Sequence, residues 1–227
     1  MAKILHIETS TTVCSVALSV DGRVVFDKVS FEGSSHAALL GVFVEETIAY
    51  SQGRQYQPEA IALSGGPGSY TGLRIGASMA KGLCMGWDVP LIAVPTLQVM
   101  ASQAIRLYGK SDCLYCAMLD ARRMEVYAAI YDATLSMEEK TSADIITSDS
   151  YRSFLDRSTV CFFGSGAAKC STMIKSDNAS YYVYRAQAQI HQNKIREAIA
   201  SLENALVISP NDANIRNNLN ALKAQAR

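Results

Sequence analysis

Apolar positions first arrive in short runs and then at helical spacing. Lys3–Glu8, Val13–Val20 and Val24–Phe31 are runs of strand length, and Asp21-Gly22 between the last two is a hairpin signal. They predict three antiparallel strands. Ser34-Ser35 then precede a helix over about His36–Tyr50, where Leu39, Leu40, Phe43, Val44 and Ile48 keep the spacing of one helical face. Ala60–Leu63 is a short buried strand running into the Gly-rich loop Ser64-Gly-Gly-Pro-Gly-Ser-Tyr-Thr71. A helix over about Thr71–Gly86, a strand over Leu91–Val94 and a helix over Thr96–Tyr108 follow.

The pattern then restarts. Cys113–Leu119 and Glu125–Tyr131 are strands paired across Asp120-Ala-Arg-Arg123. A weaker strand near Asp144–Thr147, a short helix over Ser148–Leu155, a strand over Val160–Phe163 and a Gly164-Ser-Gly166 loop into a helix complete the run. The order βββαβα thus occurs twice. A strand meander followed by alternating helix and strand is the plan of an RNase H-like subdomain, and two in tandem give the α/β actin/sugar-kinase/Hsp70 architecture. The second copy is incomplete, because the composition changes before its last elements arrive. The expected division is 1–108 for the first subdomain, 109–178 for the truncated second and 179–227 for a helical tail.

That change is sharp. All 14 Gly lie at or before Gly166, and every Asn lies at or after Asn178. The formal net charge is +0, which excludes a strongly basic nucleic-acid coat as the dominant character. The balance averages two unlike parts, an acidic 1–178 and a basic 179–227. In the tail, helices are expected over Tyr181–Gln192, Ile195–Ile208 and from about Ala213, with Pro210-Asn211-Asp212 as a stop. Ala198, Leu202, Ala205 and Pro210 match the second half of a tetratricopeptide repeat, and Tyr182 and Ala186 suit the first half, whereas Arg185 and Gln189 do not. One such repeat cannot bury its faces alone.

No N-terminal segment reads as a signal peptide and no window is apolar enough to span a membrane, so a cytoplasmic protein is expected. Its six Cys are then reduced thiols. Cys113 and Cys116 have CxxC spacing but sit in a strand, where residues three apart face opposite ways, so a structural role is expected.

Several segments carry candidate chemistry. The Gly-rich loop, with Gly66, Gly68 and Ser69, feeds a helix N-terminus and suits an anion. It lacks the Gly-Lys-Ser/Thr of a Walker A loop. Glu8-Thr9-Ser10 lies at a strand tip, where actin-like ATPases wrap a phosphate; a turn bonded to its own backbone is the alternative. Gly72, Gly76 and Ala80 recur every four residues as one smooth face, suited to helix docking or to tight packing on the domain's own sheet. His6, His36 and His191 form no HxxxH pair, so a metal site of that kind is not expected, and no catalytic set emerges. Asp120-Ala-Arg-Arg-Met-Glu125 clusters charge on a turn, either simply solvated or an RNA contact.

Four segments together resemble the TsaD/glycoprotease-like family over residues 1–178: Ile7-Glu-Thr-Ser10 with Cys14-Ser-Val-Ala-Leu18; Ser64–Gly76 with Ala80-Lys-Gly82; Asp120-Ala-Arg-Arg123 with Glu125-Val-Tyr127; and Gly164-Ser-Gly-Ala167. The resemblance implies a non-catalytic scaffold subunit that dimerises with a TsaD-like transferase and is joined by a TsaE-like ATPase. The complex makes N6-threonylcarbamoyladenosine beside the anticodon, so tRNA is met through the complex alone. ATP and metal are implied for the partner, with no cofactor on this chain. The implied dimer surface is the pair of helices near His36–Tyr50 and Thr71–Gly86, which gives His36, Leu39, Leu40, Phe43, Gly72, Gly76, Met79 and Ala80 as partner-binding residues. The same helices also suit a homodimer. The Asn-rich tail departs from the family's ending. Two other function classes stand beside this one. An actin-fold ATPase or small-molecule kinase would rest on the doubled βββαβα order and Glu8-Thr-Ser10, and a helical-repeat adaptor on Ala198–Pro210.

Overall fold

The computed structural model describes residues 2–33, 35–108, 112–170, 173–174, 195–208 and 210–225. It divides into two compact units, Met1–Val99 and Met100–Arg227. The division falls at Val99, earlier than the expected boundary at Tyr108.

In the first unit, β1 (Lys3–Glu8), β2 (Cys14–Val20) and β3 (Arg23–Ser30) form the expected meander. Helix α1 (His36–Gln52), β4 (Ala60–Ser64), α2 (Tyr70–Trp87), β5 (Leu91–Val94) and the start of α3 (Thr96–Tyr108) follow. The sheet order is β3-β2-β1-β4-β5, with β1 antiparallel to β2 and parallel to β4. Alternation along β1 sends Leu5 and Ile7 to one face, opposite Leu18 and Val16 of β2. On that face Leu40 and Val44 of α1 and Ala80 of α2 close a core with Ile61 and Leu63. Asp21 (φ 47°) and Gly22 (φ 77°) make the β2–β3 hairpin as their types predict. Ser35 does not cap α1 with its side chain; its Oγ instead donates to the Glu32 carbonyl at 2.7 Å. Ser34 lies outside the described residues.

In the second unit, β6 (Cys113–Asp120), β7 (Glu125–Tyr131), β8 (Met137–Ile145) and β9 (Thr159–Phe163) make a sheet of order β8-β7-β6-β9. Among the described residues this is the first sheet's order without its fifth strand. One face carries Cys116, Met118, Val126, Ala128, Ile130, Val160 and Phe162, closed by Phe154 of α4 (Arg152–Leu155) and by Ala167 and Cys170 of α5 (Ala167–Cys170).

Two expectations need correction here. The strand expected at Asp144–Thr147 is β8, which begins at Met137. Its exposed Met-Glu-Glu-Lys start lacks the alternation that marks a half-buried strand, as a charged edge often does. The helix expected over Ser148–Leu155 is confined to Arg152–Leu155. Before it, Ser150 Oγ accepts from the Thr147 N–H at 2.9 Å, a side-chain turn that competes with helix.

The last elements are α6 (Ile195–Ile208) and α7 (Ala213–Gln225), at the expected positions. Ala198, Leu202 and Ala205 meet Ile215, Leu219 and Leu222 in their own small core. The helix expected over Tyr181–Gln192 lies outside the described residues, so what stands is a helical hairpin and not a demonstrated repeat.

Candidate functional site

The Gly-rich loop and the β1–β2 turn are built against each other. Glu8 Oε1 accepts from the Ser10 N–H at 2.6 Å and from Ser10 Oγ at 2.5 Å. Its Oε2 accepts from Ser64 Oγ at the mouth of the loop. Several N–H groups of this loop are spent within the protein. Gly65 donates to the Val94 carbonyl at 2.8 Å, Gly66 to Thr96 Oγ1 at 3.2 Å and Ser69 to the Ser10 carbonyl at 2.7 Å. Ser69 also caps α2, its Oγ accepting from the Gly72 N–H at 3.2 Å. Of the residues read from the sequence as anion-proximal, Glu8, Ser10, Gly66 and Ser69 are thus tied into a clamp of internal hydrogen bonds, with Thr9 and Gly68 packed within it. The adjoining cavity, about 150 Å³ and lined by His6, Glu8, Ser15 and Ser64 among others, is below the ~300 Å³ at which ligand pockets usually begin.

The same contact explains the glycine stripe. A Cβ at Gly72 would lie 2.1 Å from the Thr9 carbonyl oxygen, and one at Gly76 2.2 Å from Thr9 Oγ1. A Cβ at Gly68 would lie 2.2 Å from the Ser10 carbonyl oxygen. Gly72, Gly76 and Ala80 are therefore buried in their own domain, which settles the choice between the two uses of that stripe. The other residues expected at a partner surface are buried or half-buried. Leu40 is buried, and Leu39, Phe43 and Met79 pack against the same core. His36 is buried, with Nε2 donating to the Val13 carbonyl at 3.2 Å.

The outward face of the two helices carries different residues. On α1 it presents Ala38, Gly41, Val42, Glu45 and Ala49; on α2 it presents Arg74, Ser78, Gly82 and Met85. Val42 is 46% exposed and Met85 86%. Gly41, Gly82 and Gly86 have nothing within 4 Å of where a Cβ would stand. A helix usually turns a polar stripe to solvent; α1 turns alanine, glycine and valine there alongside Glu45. That run of small and apolar residues at exposed helix positions is the readable signal for them.

The β6–β7 turn is a third feature. Lys169 Nζ of α5 donates to Asp120 Oδ1 at 2.5 Å and to the Glu125 carbonyl at 2.6 Å. The Lys169 hydrogen bond holds the Asp120 carboxyl below the usual carboxylate range, with a further contribution from the Arg122 N–H at 2.8 Å. Arg122 and Arg123 project from this turn, exposed.

None of the six cysteines is in a disulfide. Burial pushes the Cys116 thiol well up and Cys170 up to about 11, so both stay protonated at neutral pH. Among the described residues no group of three His, Cys, Asp or Glu is placed to hold a metal. No described helix is long and apolar enough to cross a membrane.

Sheet order and helix placement define an α/β protein built on two mixed sheets of matching strand order. The chain belongs to the TsaD family, tRNA N6-adenosine threonylcarbamoyltransferase, whose family model matches residues 32–200. It is 40% identical over 131 residues to the tRNA threonylcarbamoyladenosine biosynthesis protein TsaB of Escherichia coli, covering 57% of this chain and 54% of that protein. It is 36% identical over 124 residues to TsaB of Haemophilus influenzae, covering 55% and 51%. The chain thus spans about half the length of the curated relatives it matches. Its structure resembles that of a protein with similarity to peptidase YeaZ from Pseudomonas aeruginosa, with a TM-score of 0.68 at 26% identity, over 77% of this chain and 81% of that one.

Proposed function

We propose that this chain serves the formation of N6-threonylcarbamoyladenosine in tRNA as a non-catalytic scaffold that docks on a TsaD-like transferase. The likeness to TsaB proteins supports the pathway. The observation that carries the docking role is the outer face of α1 and α2. Gly41, Val42, Gly82, Met85 and Gly86 lie open there, between the charged Glu45, Arg74 and Lys81. Open glycines let a partner helix approach its backbone closely. In this reading the transferase brings the metal and the adenosine-modifying chemistry, a TsaE-like ATPase joins the pair, and this chain brings no cofactor. The self-satisfied Glu8 clamp supports a scaffold over an ATPase. The test is co-purification of the tagged chain with a TsaD-like transferase, with Gly82→Leu and Val42→Lys as variants. Stoichiometric capture by the wild type and its loss in both variants is expected. Absence of wild-type binding at micromolar concentration overturns the proposal.

A further inference from the structure

The β6–β7 turn sets Arg122 (φ 77°) and Arg123 (φ 45°) side by side in left-handed backbone. The β2–β3 hairpin meets the same demand with Asp21 (φ 47°) and Gly22 (φ 77°), residue types that tolerate that conformation. Arginine has no such preference, so backbone geometry does not explain the pair.

Packing does not explain it either. Both side chains are exposed, and neither meets a carboxylate or an aromatic ring among the described residues. Some arginines elsewhere are held, while the exposed Arg23 and Arg106, like this pair, meet no carboxylate or ring among the described residues. Arg54 and Arg74 stack on Tyr50 and Tyr70, while Arg152 and Arg157 pair with Asp156 and Glu138. The turn is nonetheless firmly anchored. Asp120 Oδ1 takes the Arg122 N–H, and Lys169 Nζ ties Asp120 to the Glu125 carbonyl. Lys169 also offsets the Asp120 charge, the acidic group bonded to the turn's own backbone. The result is two adjacent guanidinium groups, free of protein partners among the described residues, on a fixed tip.

A guanidinium offers a planar fork of N–H donors that matches phosphate oxygens. We infer that this tip binds phosphates of an RNA backbone, with Arg122 and Arg123 as the donors and Asp120 and Lys169 as positioning residues. The choice of RNA over a free nucleotide rests on the tRNA-modification reading; the geometry itself asks for phosphate.

The test uses the full chain in complex with the transferase and an unmodified tRNA transcript, with affinity measured by filter binding across a salt series. Arg122→Gln/Arg123→Gln is expected to weaken binding about tenfold at moderate salt and to lower the slope of log K against log salt by about 0.7–0.9 for each arginine removed. Arg122→Gly/Arg123→Asn gives the turn the residue types it favours, so it keeps or raises the melting temperature while losing the same affinity. Unchanged affinity and slope in both folded variants overturns the inference. So does loss of transferase capture without loss of RNA affinity, which would make the tip a protein contact. Equal displacement of wild-type RNA by 1 mM inorganic pyrophosphate (~1 mM, a concentration at which a weak free-phosphate site fills), abolished in the variants, would assign the tip to a free phosphate ligand and overturn the RNA assignment. Transferase capture by the wild type is read in the same preparation, so failure of the tip is distinguishable from failure of the scaffold reading.

Discussion

Glycines in and before α2 fall into two kinds, and the difference decides what each substitution does. At Gly72 a Cβ would meet a backbone oxygen at 2.1 Å, which has no room to retreat. Gly72→Ala is expected to destabilise by about 2–3 kcal/mol through overpacking, read as a lower urea midpoint. At Gly82 nothing lies within 4 Å. Gly82→Ala is expected to stabilise the isolated chain by about 0.5–1 kcal/mol, the usual helical gain. A fall in stability there would mean that the position is already filled. Tyr131 is 0% exposed, and its hydroxyl has no partner among the described residues. Tyr131→Phe should therefore cost nothing and can gain up to about 1 kcal/mol, because no hydrogen bond is lost. Asp120 gives the pH dependence. Its folded pKa is depressed, first by the Lys169 hydrogen bond. The stability it contributes is thus present above its unfolded value of about 3.9 and disappears as pH falls through the lower folded value. Urea titrations from neutral pH down to about pH 2.5 should show the wild type and Asp120→Asn converging in the acid range.

At the scale of elements, legibility followed burial. The strands β1, β2, β4, β6 and β7 alternate or run apolar because one or both faces are covered, and their positions could be read directly. The exposed start of β8 has no such pattern, and it was placed too late. The Gly72–Gly76–Ala80 face was legible as small but not as inward, since close packing on a turn and docking of a helix need the same residues. What decides between them is the β1–β2 turn, about sixty residues away in sequence but touching in space. The helices α6 and α7 were fully legible, because their apolar residues share one seven-residue spacing: Ala198, Leu202, Ala205 on one and Ile215, Leu219, Leu222 on the other. Asp212 Oδ1 accepts from the Ile215 N–H at 3.1 Å, and Lys223 meets Glu203 at 2.7 Å across the pair. Leu202 is 2% exposed, so Leu202→Ala is expected to cost about 2–4 kcal/mol of hairpin stability. Amide hydrogen exchange should show the loss confined to these two helices.

For the whole molecule the consequence is a separation of stabilities. The first unit closes its core with Leu5, Ile7, Leu40 and Ile61, the second with Met118, Val126, Ile130 and Phe162, and the α6–α7 hairpin with Leu202 and Leu219. Cores that do not share residues need not melt together. The outer face of α1 and α2 belongs to the first of them. A charge placed in the hairpin core by Leu202→Asp would leave a buried carboxylate unpaired, which ordinarily unfolds an element of this size. If docking depends on α1 and α2 alone, that variant should lose the helical signal of α6 and α7 and still capture the transferase within about twofold of the wild type, a change under ~0.5 kcal/mol. Capture falling with the hairpin, while the first unit's exchange protection stays intact, would move the docking surface to the tail and restore the adaptor reading of Ala198–Pro210.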